Sequence, residues 1–252
     1  MDRQILKAQF AFHRPPDWAC PSCENGILRI EKESFVAGET YYSRDHLREL
    51  WDPDQVKYVY SCLLYCTSCH EVVACSGTGS AYLAYEDSDV EGEPELGYLT
   101  RYTPTVFEPA LRIINIPENC PESVAGPLNE SFKLFFASPS AAANSIRVGV
   151  ERLLTELKIE CFEMKKGKLR IISLHQRISL IPPPHQGLKH LLLAIKWLGN
   201  AGSHAQGEIS VDDVLDAYEM TEHVLEQIYP DQRRAMKMNA IATEVNRKKG
   251  PA

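Results

Sequence analysis

Apolar positions along this chain change their period once. In the first hundred or so residues they come in short β-favouring runs: Ile27-Leu-Arg-Ile-Glu, Val56-Lys-Tyr-Val-Tyr-Ser-Cys-Leu-Leu and Glu71-Val-Val-Ala-Cys. From Pro121 onward they recur at the three-and-four spacing of a helix. One helix is predicted from Pro121 to about Phe136, with Val124, Leu128, Phe132, Phe135 and Phe136 on its apolar face. Ser138-Pro139 starts the next, an N-cap hydroxyl followed by proline in the first turn. Its buried stripe is Ile146, Val150, Leu153, Leu154 and Leu157. Residues 188–198 predict a further helix through Leu188, Leu191, Leu192, Ile195 and Leu198. Ser210 with Asp213 resembles a capping box, opening a helix lined by Val211, Val214, Leu215, Tyr218, Leu225 and Ile228. Residues 98–116 read as short or edge strands broken by prolines. The pattern of residues 169–181 fits a strand and a helix equally. Strands first and helices after predict an α+β chain. Its expected parts are a β-rich domain over residues 1–116, a helical bundle over 117–230 and a basic helix or tail over 231–252.

Composition adds constraints. The 252 residues carry a net charge of −7, which argues against a surface coated for non-specific duplex DNA. Residues 231–252 hold Arg233, Arg234, Lys237, Arg247, Lys248 and Lys249 against Asp231 and Glu244, so this tail is +4 and the remainder −11 (−7 minus +4). Residues 86–95 hold six acids and no base, the pattern of a solvated surface loop. No apolar run reaches the ~18 residues that span a bilayer, and the N-terminus lacks the apolar core of a signal peptide. A cytoplasmic protein without membrane attachment is the expectation, and eight cysteines in a reducing compartment point to metal ligands.

Cys20-Pro-Ser-Cys23 is answered by Cys66-Thr-Ser-Cys69. Twin CxxC knuckles bring four thiolates to one tetrahedron, so Cys20, Cys23, Cys66 and Cys69 are the predicted zinc ligands of a structural, ribbon-like site. The spacer exceeds the ~15–20 residues of the commonest pattern, so residues 38–55 are expected as an inserted loop or short helix. Cys62, His70 and Cys75 lie close enough in sequence to compete as ligands. Trp18, just before the first knuckle, is expected to pack on the ribbon.

The segment Lys196-Trp-Leu-Gly-Asn-Ala-Gly-Ser-His204 carries the second chemistry. If its helix runs on to His204, then Lys196, Asn200 and His204 follow at i, i+4, i+8 on a face distinct from the leucines. An ammonium, a carboxamide and an imidazole there hold an anion and move a proton. Gly199 and Gly202 each cost roughly 1 kcal/mol of helix stability relative to alanine, so close approach by another helix is one explanation. Arg147 and Glu151 sit at i, i+4 on the preceding helix, where a surface ion pair is the plain reading. A metal-dependent hydrolase on His175, His185 and His190 lacks supporting carboxylates.

Arg147-xxx-Glu151, then Trp197-Leu-Gly-Asn-xxx-His204, then a capped helix ending in Leu225-xx-Ile-Tyr229, resemble a bacterial domain-of-unknown-function family of the HEPN superfamily. That family often follows an N-terminal zinc ribbon and is associated with restriction and anti-phage defence. The resemblance covers roughly residues 100–230. It implies a compact helical bundle forming homodimers, and partners that are RNA, other single-stranded nucleic acid or a defence-system protein. Many members are metal-independent ribonucleases whose motif is an arginine, a polar residue, a three-residue spacer and a histidine. Here Asn200 and His204 match, whereas Gly199 stands at the arginine position. The resemblance therefore implies two functions. One is a binding protein with degenerate catalysis. The other is a ribonuclease with His204 as acid/base, Asn200 orienting, and Lys196 or Arg147 (beside Glu151) stabilising charge.

Overall fold

The computed structural model describes residues 1–46, 55–85, 96–201, 209–230 and 232–249. The chain is α+β, with a curled antiparallel sheet in its N-terminal region and helices in its C-terminal region. It divides into two compact units, Met1–Ile113 with Phe132–Pro139, and Ile114–Ser131 with Ser140–Ala252.

The first unit opens with a short helix, α1 (Arg3–Lys7), capped by the Asp2 carboxylate. Its strands are β1 (Leu28–Ile30), β2 (Val36–Glu39), β3 (Lys57–Cys66), β4 (Val72–Tyr85) and β5 (Leu96–Glu108), with α2 (Tyr41–His46) between β2 and β3. The antiparallel order is β1-β3-β4-β5, with β2 also on β3. Alternation along β3 explains the sheet's two faces: Tyr60, Cys62, Leu64 and Cys66 point into the core, while Val59, Ser61, Leu63 and Tyr65 face water. Trp18 lies in that core, edge-on to Phe10 at 5.3 Å and to Phe107 at 5.1 Å between ring centroids.

Two local expectations change here. Residues 98–116 do not break into short strands, because one strand continues through Pro104 to Glu108. Pro104 falls where the pairing shifts register between Ser76 and Gly77, the kind of bulge at which a missing N–H is tolerated. Gly77 is required there, since a Cβ would meet the Thr103 carbonyl oxygen at 2.1 Å. Within the expected insertion at 38–55, α2 supplies the short helix, and residues 47–54 lie outside the described residues.

The second unit contains α3 (Glu122–Phe135) as far as Ser131, α4 (Pro139–Glu156) from Ser140, the hairpin β6 (Phe162–Lys165) and β7 (Lys168–Ile171), α5 (Leu174–Ser179), α6 (Lys189–Ala201), α7 (Val211–Ile228) and α8 (Gln232–Lys249). The ambiguous stretch 169–181 is thus strand then helix. Ser173 divides them by capping α5 with Gln176 in a capping box. Ser210 and Asp213 do the same for α7. Gly149 lets α4 approach α3, where an added Cβ would lie 3.0 Å from a Leu128 methyl. Tyr218 of α7 donates to Ser131 Oγ at 2.9 Å, and Ser131 donates to the Leu128 carbonyl at 2.6 Å. That relay satisfies two buried hydroxyls that burial alone would penalise. Buried Arg177 of α5 donates to the Glu151 and Ile159 carbonyls and to Thr155 Oγ1, closing the C-terminal end of α4. Among the described residues no helix is long and apolar enough to cross a membrane.

Candidate functional site

The candidate metal centre is built by two knuckles of matching backbone. In the first, the Ser22 amide donates to Cys20 Sγ at 3.4 Å; in the second, the Ser68 amide donates to Cys66 Sγ at 3.3 Å. Each knuckle then turns through the left-handed region at the residue after its second cysteine, Glu24 (φ 58°) and His70 (φ 61°). The amides of those two residues return to the Cys20 and Cys66 carbonyls. β1 pairs with the end of β3, Leu28 opposite Cys66, and so brings the knuckles together. Gly26 is needed for this closure, because a Cβ there would stand 2.4 Å from Cys66 Sγ.

The four sulfurs of Cys20, Cys23, Cys66 and Cys69 all lie within 4.8 Å of one another. Two edges are 3.7 Å (Cys20–Cys69) and 3.6 Å (Cys23–Cys66). A metal held by bonds of ~2.3 Å in a sulfur tetrahedron has edges of ~3.8 Å, whereas a disulfide would draw two sulfurs to ~2.05 Å. The set fits a four-coordinate metal ion. Electrostatics agree: the Cys69 amide, aided by that of Ser68, holds the Cys66 thiol down to about 6. Although the Glu71 amide favours its thiolate, Cys69 is pushed up to about 12 by the crowding sulfurs, Cys23 foremost. Four sulfurs this close ionise together only when a cation compensates them.

The competing ligands fall elsewhere. Cys62 and Cys75 oppose one another across β3 and β4; both are free thiols that hydrogen-bond to each other, with Tyr60 Oη 3.4 Å from Cys75 Sγ. His70 spends its backbone on the second knuckle's turn. Neither it nor the trio His175, His185 and His190 joins a metal-binding group among the described residues.

On the helical unit, α6 departs from the expected arrangement. Its buried side is Leu192, Ile195, Lys196 and Gly199, so Lys196 lies inward rather than on a separate polar face. The cause is Gly199: α6 seats there directly on α4, with an added Cβ 2.6 Å from Arg147 Cβ and 3.0 Å from the Ala143 carbonyl oxygen. That contact rotates the buried arc toward Lys196 and leaves Leu191 and Leu198 only half buried. Lys196 is 9 % exposed while its neighbour Trp197 is 57 % exposed. The ammonium sits 3.3 Å over the indole centroid, and among the described residues no carboxylate, carbonyl or hydroxyl pairs with it. The Arg147 guanidinium pairs with Glu151 and donates to Asn144 Oδ1 at 3.1 and 3.3 Å. The structure therefore brings Arg147, Glu151 and Gly199 together, with Lys196 and Asn200 on the same helix as Gly199. His204 lies outside the described residues.

A further signal is legible in the sequence once β6–β7, α5 and α6 are seen to be consecutive. Residues 164–207 contain no aspartate or glutamate, against Lys165, Lys166, Lys168, Arg170, Arg177, Lys189, Lys196 and four histidines. This stretch is +7, leaving −14 for the rest (−7 minus +7). Overall net charge conceals that segregation. Four of the cations are exposed on the β6–β7 hairpin, Lys165, Lys166 and Lys168 at its free end and Arg170 farther down β7, opposite Glu163.

Residues 8–107 match a family model described as a domain of unknown function (DUF8608), and residues 129–248 match a second, also a domain of unknown function (DUF4145). No curated protein and no solved structure matches the chain.

Proposed function

We propose that this chain is a zinc-stapled nucleic-acid-binding module. Zinc held by Cys20, Cys23, Cys66 and Cys69 fastens the β-rich unit, and the helical unit engages the phosphates of RNA or single-stranded DNA. A site closed by four sulfurs supplies rigidity and no open position for substrate. The observation that carries the binding role is the acid-free stretch 164–207, whose exposed cations Lys165, Lys166, Lys168 and Arg170 are gathered on the β6–β7 hairpin. Phosphate neutralisation is favourable at the hairpin turn, where Lys165, Lys166 and Lys168 are exposed; Arg170 lies opposite Glu163. A HEPN-like bundle in a defence-type system is part of the same proposal and rests on Arg147, Glu151 and Asn200 matching that family's motif.

The test is oligonucleotide binding followed by fluorescence anisotropy over a range of salt. The triple variant Lys165→Glu, Lys166→Glu, Lys168→Glu is expected to bind about 100-fold more weakly. The slope of log affinity against log salt should also fall by about 0.7 for each lysine that contacts a phosphate of a single strand. An unchanged affinity and slope would remove the binding reading.

A second reading, a ribonuclease, is favoured by one contact: Arg147 packs against Gly199, offering from α4 the guanidinium that α6 lacks. In that reaction the RNA 2′-oxygen attacks the adjacent phosphorus, the 5′-oxygen leaves, and a 2′,3′-cyclic phosphate forms. His204 would take the 2′-hydroxyl proton and return one to the leaving oxygen, while Arg147 stabilises the charge. With zinc-loaded protein and no added divalent ion, His204→Ala is expected to lower cleavage at least about 100-fold at an unchanged melting temperature. Equal cleavage by both proteins rules the enzyme out.

A further inference from the structure

The exposed side of α6 has an inverted composition. The largest apolar ring of the helix, Trp197, faces water, and a lysine lies buried beneath it. Solvent-exposed indole carries a hydrophobic cost, and with Leu192, Ile195, Lys196 and Gly199 buried the helix period places Trp197 on the opposite, solvent side. Ile195, two residues earlier, is buried, so this helix does sort its side chains.

Three features around the ring point to one class of ligand. The Lys196 ammonium lies 3.3 Å from the indole centroid and so covers one face of the ring, while the residue as a whole stays 57 % exposed. His175, from α5, places an exposed imidazole 6.2 Å away at 50°. His190, two turns back on α6 and about 10 Å along its axis, is also exposed. These rings are embedded in the stretch that has no acid. Flat π-faces interleaved with cations suit a base whose own face is free and whose phosphate is close by. A duplex hides those faces in its stack, and an acidic peptide has no use for them.

Resting on the nucleic-acid reading above, we propose that Trp197 is a stacking platform for an unpaired nucleobase, with Lys196 polarising the indole from beneath and His175 bordering the bound ring. The helical unit then selects single strands over duplexes.

The test compares affinities of zinc-loaded full-length protein for oligouridylate and for a duplex of equal length, with melting temperatures recorded. Trp197→Ala is expected to weaken single-strand binding about tenfold, to leave duplex binding and the melting temperature unchanged, and to abolish the quenching of tryptophan fluorescence by the single strand. Trp197→Phe should retain most of the affinity. Single-strand affinity unaltered by Trp197→Ala overturns the platform, while salt-dependent binding by the parent would leave the nucleic-acid reading standing. Equal losses from alanine and phenylalanine with a lowered melting temperature mark a structural residue and also overturn it. No binding of either oligonucleotide by the parent removes both proposals together.

Discussion

Cys66→Ser is expected to release the metal and to unfold the β-rich unit. Cys66 is the proposed ligand with the most contacts to the rest of the centre. It ends β3, accepts the Ser68 and Cys69 amides, and packs against Gly26. Structural zinc contributes apparent binding energies of about 10–16 kcal/mol in zinc-finger peptides, as much as the whole stability of a typical domain, about 5–15 kcal/mol. A serine hydroxyl is a far poorer zinc ligand than a thiolate. Elemental analysis should find about one equivalent of zinc per parent chain and much less in the variant. The near-ultraviolet signal of the Trp18–Phe10–Phe107 cluster should vanish with it, while the far-ultraviolet signal of the helices persists. Cys62→Ser, on the same face of β3 but hydrogen-bonded to the Cys75 thiol, should keep its metal. Full metal content and an unchanged melting curve in Cys66→Ser would refute the zinc staple.

Gly199→Leu is expected to cost about 3 kcal/mol. Leucine recovers up to about 1 kcal/mol of helix propensity, so an exposed glycine would be improved by the change. Here the new side chain meets Arg147 Cβ within 2.6 Å and the Ala143 carbonyl oxygen at 3.0 Å. Backbone oxygen cannot swing aside, so α6 must lift from α4. The urea midpoint should drop and Arg147 should lose its seat against α6. Arginine introduced at 199 meets the same wall and would displace Arg147 rather than join it. A midpoint equal to that of the parent would show that α6 has room to shift.

Much of this molecule is legible in its residue order. CxxC spacing names the four sulfurs because a knuckle is a local structure: two cysteines three residues apart and amides that point at sulfur. Ser210 and Asp213 announce α7 for the same reason. Ser173 with Gln176 is an equally local signal, and it divides residues 169–181 into the end of β7 and α5. Pro104 misled in the opposite direction. Proline breaks a strand when ladder bonds are required of it, and only the register shift opposite Gly77 removes that requirement.

The orientation of α6 lies beyond any such reading. Its hydrophobic period is satisfied almost equally by an arc through Leu191 and Leu198 or by one through Lys196 and Gly199. Packing against α4 selects the second, since a glycine is the one position where two helix backbones can close up. The order of residues by itself determined the α+β class, the four clustered cysteines, the capped helices and the separation of charge, because each depends on neighbours within a few positions or on composition. Tertiary structure alone decided that Lys196 turns inward, that Trp197 turns out and that Arg147 meets Gly199. Those outcomes depend on which helix lies across the seam, and the physical reason is steric: contact between distant segments has no counterpart in sequence spacing.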